Sequence, residues 1–331
     1  MKARSLGSRP HQRSAPFRKT LSVKPKITIL DTDIGTDIDD SWALALLLAS
    51  PELDLRLITT VSGDVRYRAG LCASLLAAAG RKDIPIGLGI GGDLKVPAAL
   101  QGPLLAGIGE DAALDAHPRV IDEGVEGMIQ TIMEAEDEVT VIGIGPFTNI
   151  AEAIRRRPEI VQRARFVGMC GSVRIGYRGS ETPSAEYNVF ADIAAAQAVL
   201  SADWNITITP LDSCGHILLA GEDYQRFYNF ATSHPNSTAA AVLAHYRQWL
   251  SALKAPADQL ARRSTTQYDA VAVYLAITQA GLEMEKLQIR VTDEGLTRLD
   301  ETGTVMAVAT GWRDRSAFDQ IFIERLCREA S

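Results

Sequence analysis

The chain has 331 residues, 46% of them hydrophobic, and a formal net charge of −7. That length and apolar content suffice for one large α/β domain with a substantial core, and the acidic balance excludes nucleic acid as a partner. Cys72, Cys170, Cys214 and Cys327 stand far apart, with neither zinc-ligand spacing nor a disulfide framework, and no uninterrupted apolar run reaches transmembrane length. A cytoplasmic protein with reduced thiols and no membrane partner is therefore expected.

Residues 1–26 differ in kind: Lys2, Arg4, Arg9, Arg13, Arg18, Lys19, Lys24 and Lys26 occur with no acid among them. They read as a basic, disordered tail; no apolar segment follows to make a secretory signal, and an organelle transit function stays open. Residues 27–331 read as a single folded domain. It begins with a short β-branched run, 27–30 (ITIL), expected as a buried strand, and residues 41–49 (SWALALLLA) read as a helix packed on several sides. Between them lies DTDIGTDIDD, which places Asp31, Asp33, Asp37, Asp39 and Asp40 on one strand-to-helix turn.

So many carboxylates in one turn repel one another, and a hard divalent cation is the natural counterion. Gly35 allows a tight turn, and the helix start tolerates Asp39 and Asp40 through its dipole. Three other readings compete. An EF-hand fails, because the register from Asp31 puts Thr36 and Trp42 where a glycine and a glutamate are required. A haloacid-dehalogenase-like phosphatase also carries Asp-x-Asp after its first strand, but uses only two of the five acids. A solvated acidic turn that merely caps a helix is the plainest reading, and the later residues weaken it.

Residues 55–61 (LRLITTV) read as a strand ending at Ser62-Gly63-Asp64, and residues 67–79 as a helix closed by Gly80. The glycine cluster at 87–92 reads as a turn, since a dinucleotide fingerprint needs a strand, a helix and a distal acid that are not arranged here. Residues 97–118 show little periodicity and suggest a mobile segment near a site mouth. A helix is expected at 124–136, a strand at 139–144, and the turn Gly145-Pro146-Phe147-Thr148-Asn149 into a helix at 150–157. A strand at 165–169 ends with Met169 and is followed by Cys170-Gly171-Ser172. Glu186 and Asn188, two apart, point the same way if their segment is extended, offering an acceptor and an amide to a polyhydroxylated ligand before a helix at 192–200. A strand at 206–209 precedes Asp212, helices follow at 223–231 and 237–253, and Tyr268-Asp269 opens an apolar helix at 270–280. In a parallel sheet the strand-to-helix turns share one edge, so Asp33, Asp64, Thr148, Gly171 and Asp212 are expected to gather where open sheets bind ligands.

These residues resemble the nucleoside hydrolases that prefer inosine and uridine. The likeness is carried by DTDIGTDIDD, ITTVSGD, GPFTN, FVGMCG, AEYN and the late Asp269, in that order from about Ile27 to the chain end. The resemblance implies an open, mostly parallel sheet flanked by helices and a homodimer or homotetramer. It implies Ca²⁺-dependent hydrolysis of the N-glycosidic bond of ribonucleosides to free base and ribose. By position, Asp33, Asp40, Asp269 and the Thr148 carbonyl would hold calcium, and Asp33 would also take the proton from a water held there. Asp39, Asp64, Glu186 and Asn188 would bind the sugar, with Asp31 in support, and a diol bound this way favours ribose over 2′-deoxyribose. Departures from the pattern are local. The acidic turn is two residues longer, which adds Asp37; Asp64 and Ser180 stand where asparagines are common; and Tyr268 replaces a frequent histidine, so the acid for the leaving group is unassigned. Another class, a non-catalytic calcium-dependent ribose or nucleoside binder, shares the same pocket and is separated from an enzyme by turnover.

Overall fold

The computed structural model describes residues 24–93, 103–256 and 258–328, so the tail expected at 1–26 lies almost wholly outside the described residues. Its elements run β1 (Lys26–Thr32), α1 (Asp39–Leu48), β2 (Leu53–Thr60), α2 (Val65–Ala78), β3 (Ile86–Leu88), α3 (Glu110–Asp115), β4 (Val120–Ile121), α4 (Gly124–Glu134), β5 (Val139–Gly143) and α5 (Thr148–Arg156). They continue with β6 (Ala164–Met169), α6 (Tyr187–Ala191), α7 (Ile193–Ser201), β7 (Ile206–Thr209), α8 (Leu211–Cys214), β8 (Leu218–Ala220), α9 (Gly221–Ser233) and α10 (Thr238–Ala252). The last are β9 (Arg263–Thr266), α11 (Tyr268–Ile277), β10 (Leu282–Val291), β11 (Thr297–Leu299), β12 (Thr304–Trp312) and α12 (Ser316–Leu326).

Among the described residues the strands form a ten-stranded sheet in the order β11-β10-β12-β7-β6-β5-β1-β2-β3-β4, with β8 and β9 as a separate antiparallel pair. Pairings from β4 across to β12 are parallel, and β10 runs antiparallel to both of its neighbours. Strands buried on both faces read as continuous apolar runs, and β1 is buried along nearly its whole length. Its alternate residues feed two cores. Leu30 joins a layer with Trp42, Leu71, Phe227, Tyr246, Tyr274 and Phe322, from α1, α2, α9, α10, α11 and α12. Ile29 joins the opposite layer with Ile129, Ile150 and Val199 from α4, α5 and α7.

Strand order reverses between β1 and β5: β2, β3 and β4 lie on one side of β1, and β5, β6 and β7 on the other. Chains leaving neighbouring strands to opposite sides open a crevice at the carboxyl ends of those strands. Helix α1 is locked over it, with the Trp42 ring tilted against Phe227 at 4.5 Å and edge-on to Tyr246 at 6.1 Å. Several expectations are corrected. Residues 110–115, within the segment expected to be irregular and mobile, form α3, while residues 97–102 of it lie outside the described residues. The helix expected at 192–200 is α7, capped by Asp192, whose carboxylate accepts the Ala195 N–H, and a short helix that was not expected, α6, stands immediately before it.

One buried histidine ties three helices. His245 of α10 meets Ser41 of α1 through Nδ1 at 3.0 Å and Ser74 of α2 through Nε2 at 3.1 Å. Burial pushes its imidazole down from about 6.5 to about 4. The neutral ring is favoured in the fold, so this contribution is complete above about pH 6.5 and is lost as pH falls toward 4, by roughly 3 kcal/mol over the window. Denaturant unfolding of wild type and His245→Gln should show the wild-type advantage at pH 7 shrinking at pH 4.5; a difference independent of pH contradicts this.

Candidate metal centre and sugar crevice

The acidic turn leaves β1 at the switch point and is held through its backbone carbonyls by a side chain from α2. Gly35 adopts φ +114°, and a Cβ there would stand 2.7 Å from Tyr67 and Leu71, so the position demands glycine twice over. Arg68 of α2, 1% exposed, lies beneath the turn. Its Nη1 donates to the Asp33 carbonyl and, at 2.8 Å, to the Ile34 carbonyl; Nη2 reaches Thr36 Oγ1 at 2.9 Å and Nε the Ser62 carbonyl at 2.6 Å. The guanidinium thus holds backbone oxygens and leaves the carboxylates free for something else.

Those carboxylates converge because two helices begin at one place. Asp39 and Asp40 are in the first turn of α1 and Asp269 is in the first turn of α11, where helix dipoles favour negative charge. One carboxylate oxygen from each of the three lies within 4.8 Å of the others, and all three residues are buried. Asp33 and Asp37 line the same cavity of about 380 Å³. Thr32 Oγ1 donates to Asp40 at 2.5 Å and orients it.

Burial first, and mutual repulsion second, raise Asp39, Asp40 and Asp269 well above the usual carboxylate range. Asp33 is pushed up to about 6 by burial, against the pull of Arg68, and Asp31 to about 7. A dense set of buried oxygen donors that cannot all ionise by themselves fits a hard cation, whose charge would reverse every one of these shifts.

The other expected residues divide. Met169, Glu186, Asn188 and Tyr268 line the cavity with the acids. Glu186 and Asn188 do not lie on an extended segment: Glu186 caps α6, accepting the N–H groups of Asn188 at 2.9 Å, Val189 at 3.4 Å and Gly171 at 2.9 Å. Burial raises its carboxyl to about 7. The Asn188 amide nitrogen donates to the Ile144 and Met169 carbonyls at 3.2 and 3.0 Å, which leaves its Oδ1 as the acceptor for a ligand.

Asp31 sits under the crevice, fully buried, its Oδ1 accepting from Thr59 at 2.5 Å and Asn149 at 2.8 Å. Thr148 is half-buried at the start of α5 and its hydroxyl donates to Asp192 at 2.7 Å. Asp64 is exposed and caps α2, accepting from Arg66 and Tyr67, and Ser180 is exposed on the loop before α6; neither lines the cavity. Asp212 is taken up by the N–H groups of Val173 and Arg174 rather than facing the crevice. Sequence reasoning missed Arg68, Asn149, Tyr177 and Tyr187. Arg68 and Asn149 act from inside helices on distant backbone, and no spacing rule marks that; Tyr177 stands in a loop without periodicity.

Calcium at about 100 times its dissociation constant should stabilise the protein by about 2.7 kcal/mol. A melting curve should therefore rise with calcium and fall with chelator, and Asp40→Asn and Asp269→Asn should each lose the shift while melting no lower than the metal-free wild type, because they relieve repulsion. A wild-type melting temperature indifferent to both additions contradicts this reading of the cluster.

Comparison with known proteins agrees with the geometry. The family model of inosine-uridine preferring nucleoside hydrolases matches residues 28–319. An uncharacterised protein of Schizosaccharomyces pombe is 36% identical over 190 residues, 56% of this chain and 60% of the yeast protein, so the chain matches less than two thirds of that relative's length. The pyrimidine-specific ribonucleoside hydrolase RihA of Escherichia coli is 32% identical over 226 residues, 66% of this chain and 70% of RihA. A solved purine-preferring ribonucleoside hydrolase from Gardnerella vaginalis superposes with a TM-score of 0.73 at 22% identity, covering 91% of this chain and 98% of that one, a likeness of fold. The chain belongs to the inosine-uridine preferring nucleoside hydrolase family.

Proposed function

We propose that this nucleoside hydrolase cleaves the N-glycosidic bond of ribonucleosides to free base and ribose, with Ca²⁺ as cofactor and Asp33 as the base that activates water. The observation that carries the reading is the convergence of Asp39, Asp40 and Asp269 in a cavity that Asp33, Glu186 and Asn188 also line. Calcium bound there would polarise a water and the vicinal hydroxyls of the sugar. Asp33, Asp40 and Asp269 are its proposed ligands, and Asp39 joins them within reach; Thr148, the fourth ligand expected from the sequence, does not line the cavity.

The protein's own groups do the rest. Asp33 takes the proton of the attacking water; a cation beside it would keep its carboxyl ionised and so able to accept one. Asp39 accepts from a ribose hydroxyl and Asn188 Oδ1 from another, fixing C1′ for attack. As the C1′–N bond lengthens the sugar gains positive charge, and the surrounding carboxylates stabilise it more in the transition state than in the bound substrate. Asp31, held by Thr59 and Asn149, supports the end of β1 from which Asp33 projects.

Residues 27–331 are read as one catalytic domain acting as a homodimer or homotetramer in the cytoplasm; no helix among the described residues is long and apolar enough to cross a membrane. Asp33→Ala should lower free-ribose release from a panel of ribonucleosides by about 10²–10⁴-fold with the fold intact by circular dichroism. Activity within a few-fold of wild type contradicts the role of Asp33. The matching 2′-deoxyribonucleosides should be turned over more slowly than the ribonucleosides.

A further inference from the structure

Two tyrosines face the carboxylate cavity with rings set edge to face, and nothing so far uses them. Tyr177 and Tyr268 both line it, their centroids 6.3 Å apart and their planes at 77°. Tyr177 is 37% exposed, a surface that a planar aromatic ligand would cover.

The segment carrying Tyr177, between β6 and α6, is strapped in place. Asp212 accepts the N–H groups of Val173 and Arg174 at 2.9 and 2.8 Å, and Ser172 Oγ donates to the Ile175 carbonyl at 2.7 Å while accepting the Ser184 N–H at 2.9 Å. Arg174 is paired with Glu285 of β10 through both guanidinium nitrogens, at 2.6 and 3.0 Å. Such bracing fits a segment that must present one ring in one place, and it gives Asp212 a positioning role behind the cavity.

Hydrogen bonding leaves the Tyr177 phenol ready to donate: its Oη accepts the Tyr187 N–H at 2.9 Å. A hydroxyl that accepts from the protein keeps its proton for another acceptor. No cation competes for that place: among the described residues no histidine, lysine or arginine lines the cavity. His117 is bound to the Ile84 carbonyl, His245 to two serines, His234 stacks on Phe230, and His216 is exposed after α8.

We propose that Tyr177 and Tyr268 form one wall of the subsite of the leaving base, packing against its ring and donating phenolic hydrogen bonds to it as it departs. This rests on the hydrolase reading above. The C1′–N bond breaks with its electron pair going to the base, and water oxygen forms the new bond to C1′. Asp33 takes the water proton and returns it to solvent. The base leaves as a hydrogen-bonded anion and takes its proton from solvent, so atoms and charge balance without a cationic acid. Leaving groups that spread negative charge onto a carbonyl oxygen are served best, since that oxygen is what a phenol can bind.

The test compares ribonucleosides with p-nitrophenyl riboside, whose leaving group needs no hydrogen bond. Tyr177→Phe and Tyr268→Phe should each lower kcat on ribonucleosides by about 10- to 100-fold and change kcat on p-nitrophenyl riboside by less than about twofold. Equal losses on both substrates, or no loss on ribonucleosides from either variant, overturn the subsite. A calcium-loaded wild type that releases ribose from neither substrate overturns the hydrolase reading itself, which keeps the two failures apart.

Discussion

Repulsion among buried carboxylates is the constraint on which the rest of this structure depends. Asp39, Asp40 and Asp269 bring oxygens within 4.8 Å of one another in a buried site, and Asp33 and Asp37 face the same cavity. Charges this close, away from water, are tolerated only against compensating positive potential. The fold supplies part of it in fixed form: two helix N-termini and the buried Arg68. A bound cation would supply the rest, and a cation held at that point could also hold a sugar there.

The scaffold serves that point. Helices α1 and α11 are apolar nearly all round and buried, which is what lets their first turns be placed beside one another deep in the crevice. Reversal of strand order at β1 and β5 creates the opening above them. Arg68 binding carbonyls instead of carboxylates shows how the chain separates two tasks: backbone is held by a cation, while the acids remain available. Asn149 plays a similar part, joining Asp31 at 2.8 Å, the Thr60 carbonyl at 3.0 Å and the Ile90 N–H at 2.7 Å, so β1, β2 and the loop after β3 are tied at the level of the site.

Much of this was legible in the chain. The β-branched run before Asp31 and the apolar stretch after Asp40 predict β1 and α1 because a central parallel strand and a buried helix carry unbroken hydrophobicity. The cluster was legible because five acids on one turn repel one another unless a cation binds among them, and later strand ends supply further oxygen donors. Other features were hidden for physical reasons. Strands β3 and β4 are three and two residues long, too short for any pattern, and β10 to β12 form an antiparallel edge that the parallel reading did not anticipate. Asp64 looked like a ligand because it follows a strand, yet it caps α2, a role that any aspartate before a helix can take. Glu186 and Asn188 reach the cavity through a helix cap instead of an extended strand, since two backbone N–H groups of α6 claim the glutamate.

The central claim is that these acids hold a cation, and the most direct measurement is a crystal grown with calcium, with anomalous differences collected at long wavelength. The account predicts one strong anomalous peak between Asp39, Asp40 and Asp269, with Asp33 turned toward it. Full calcium in the crystal, no peak at that position and carboxylates turned away from one another would contradict it.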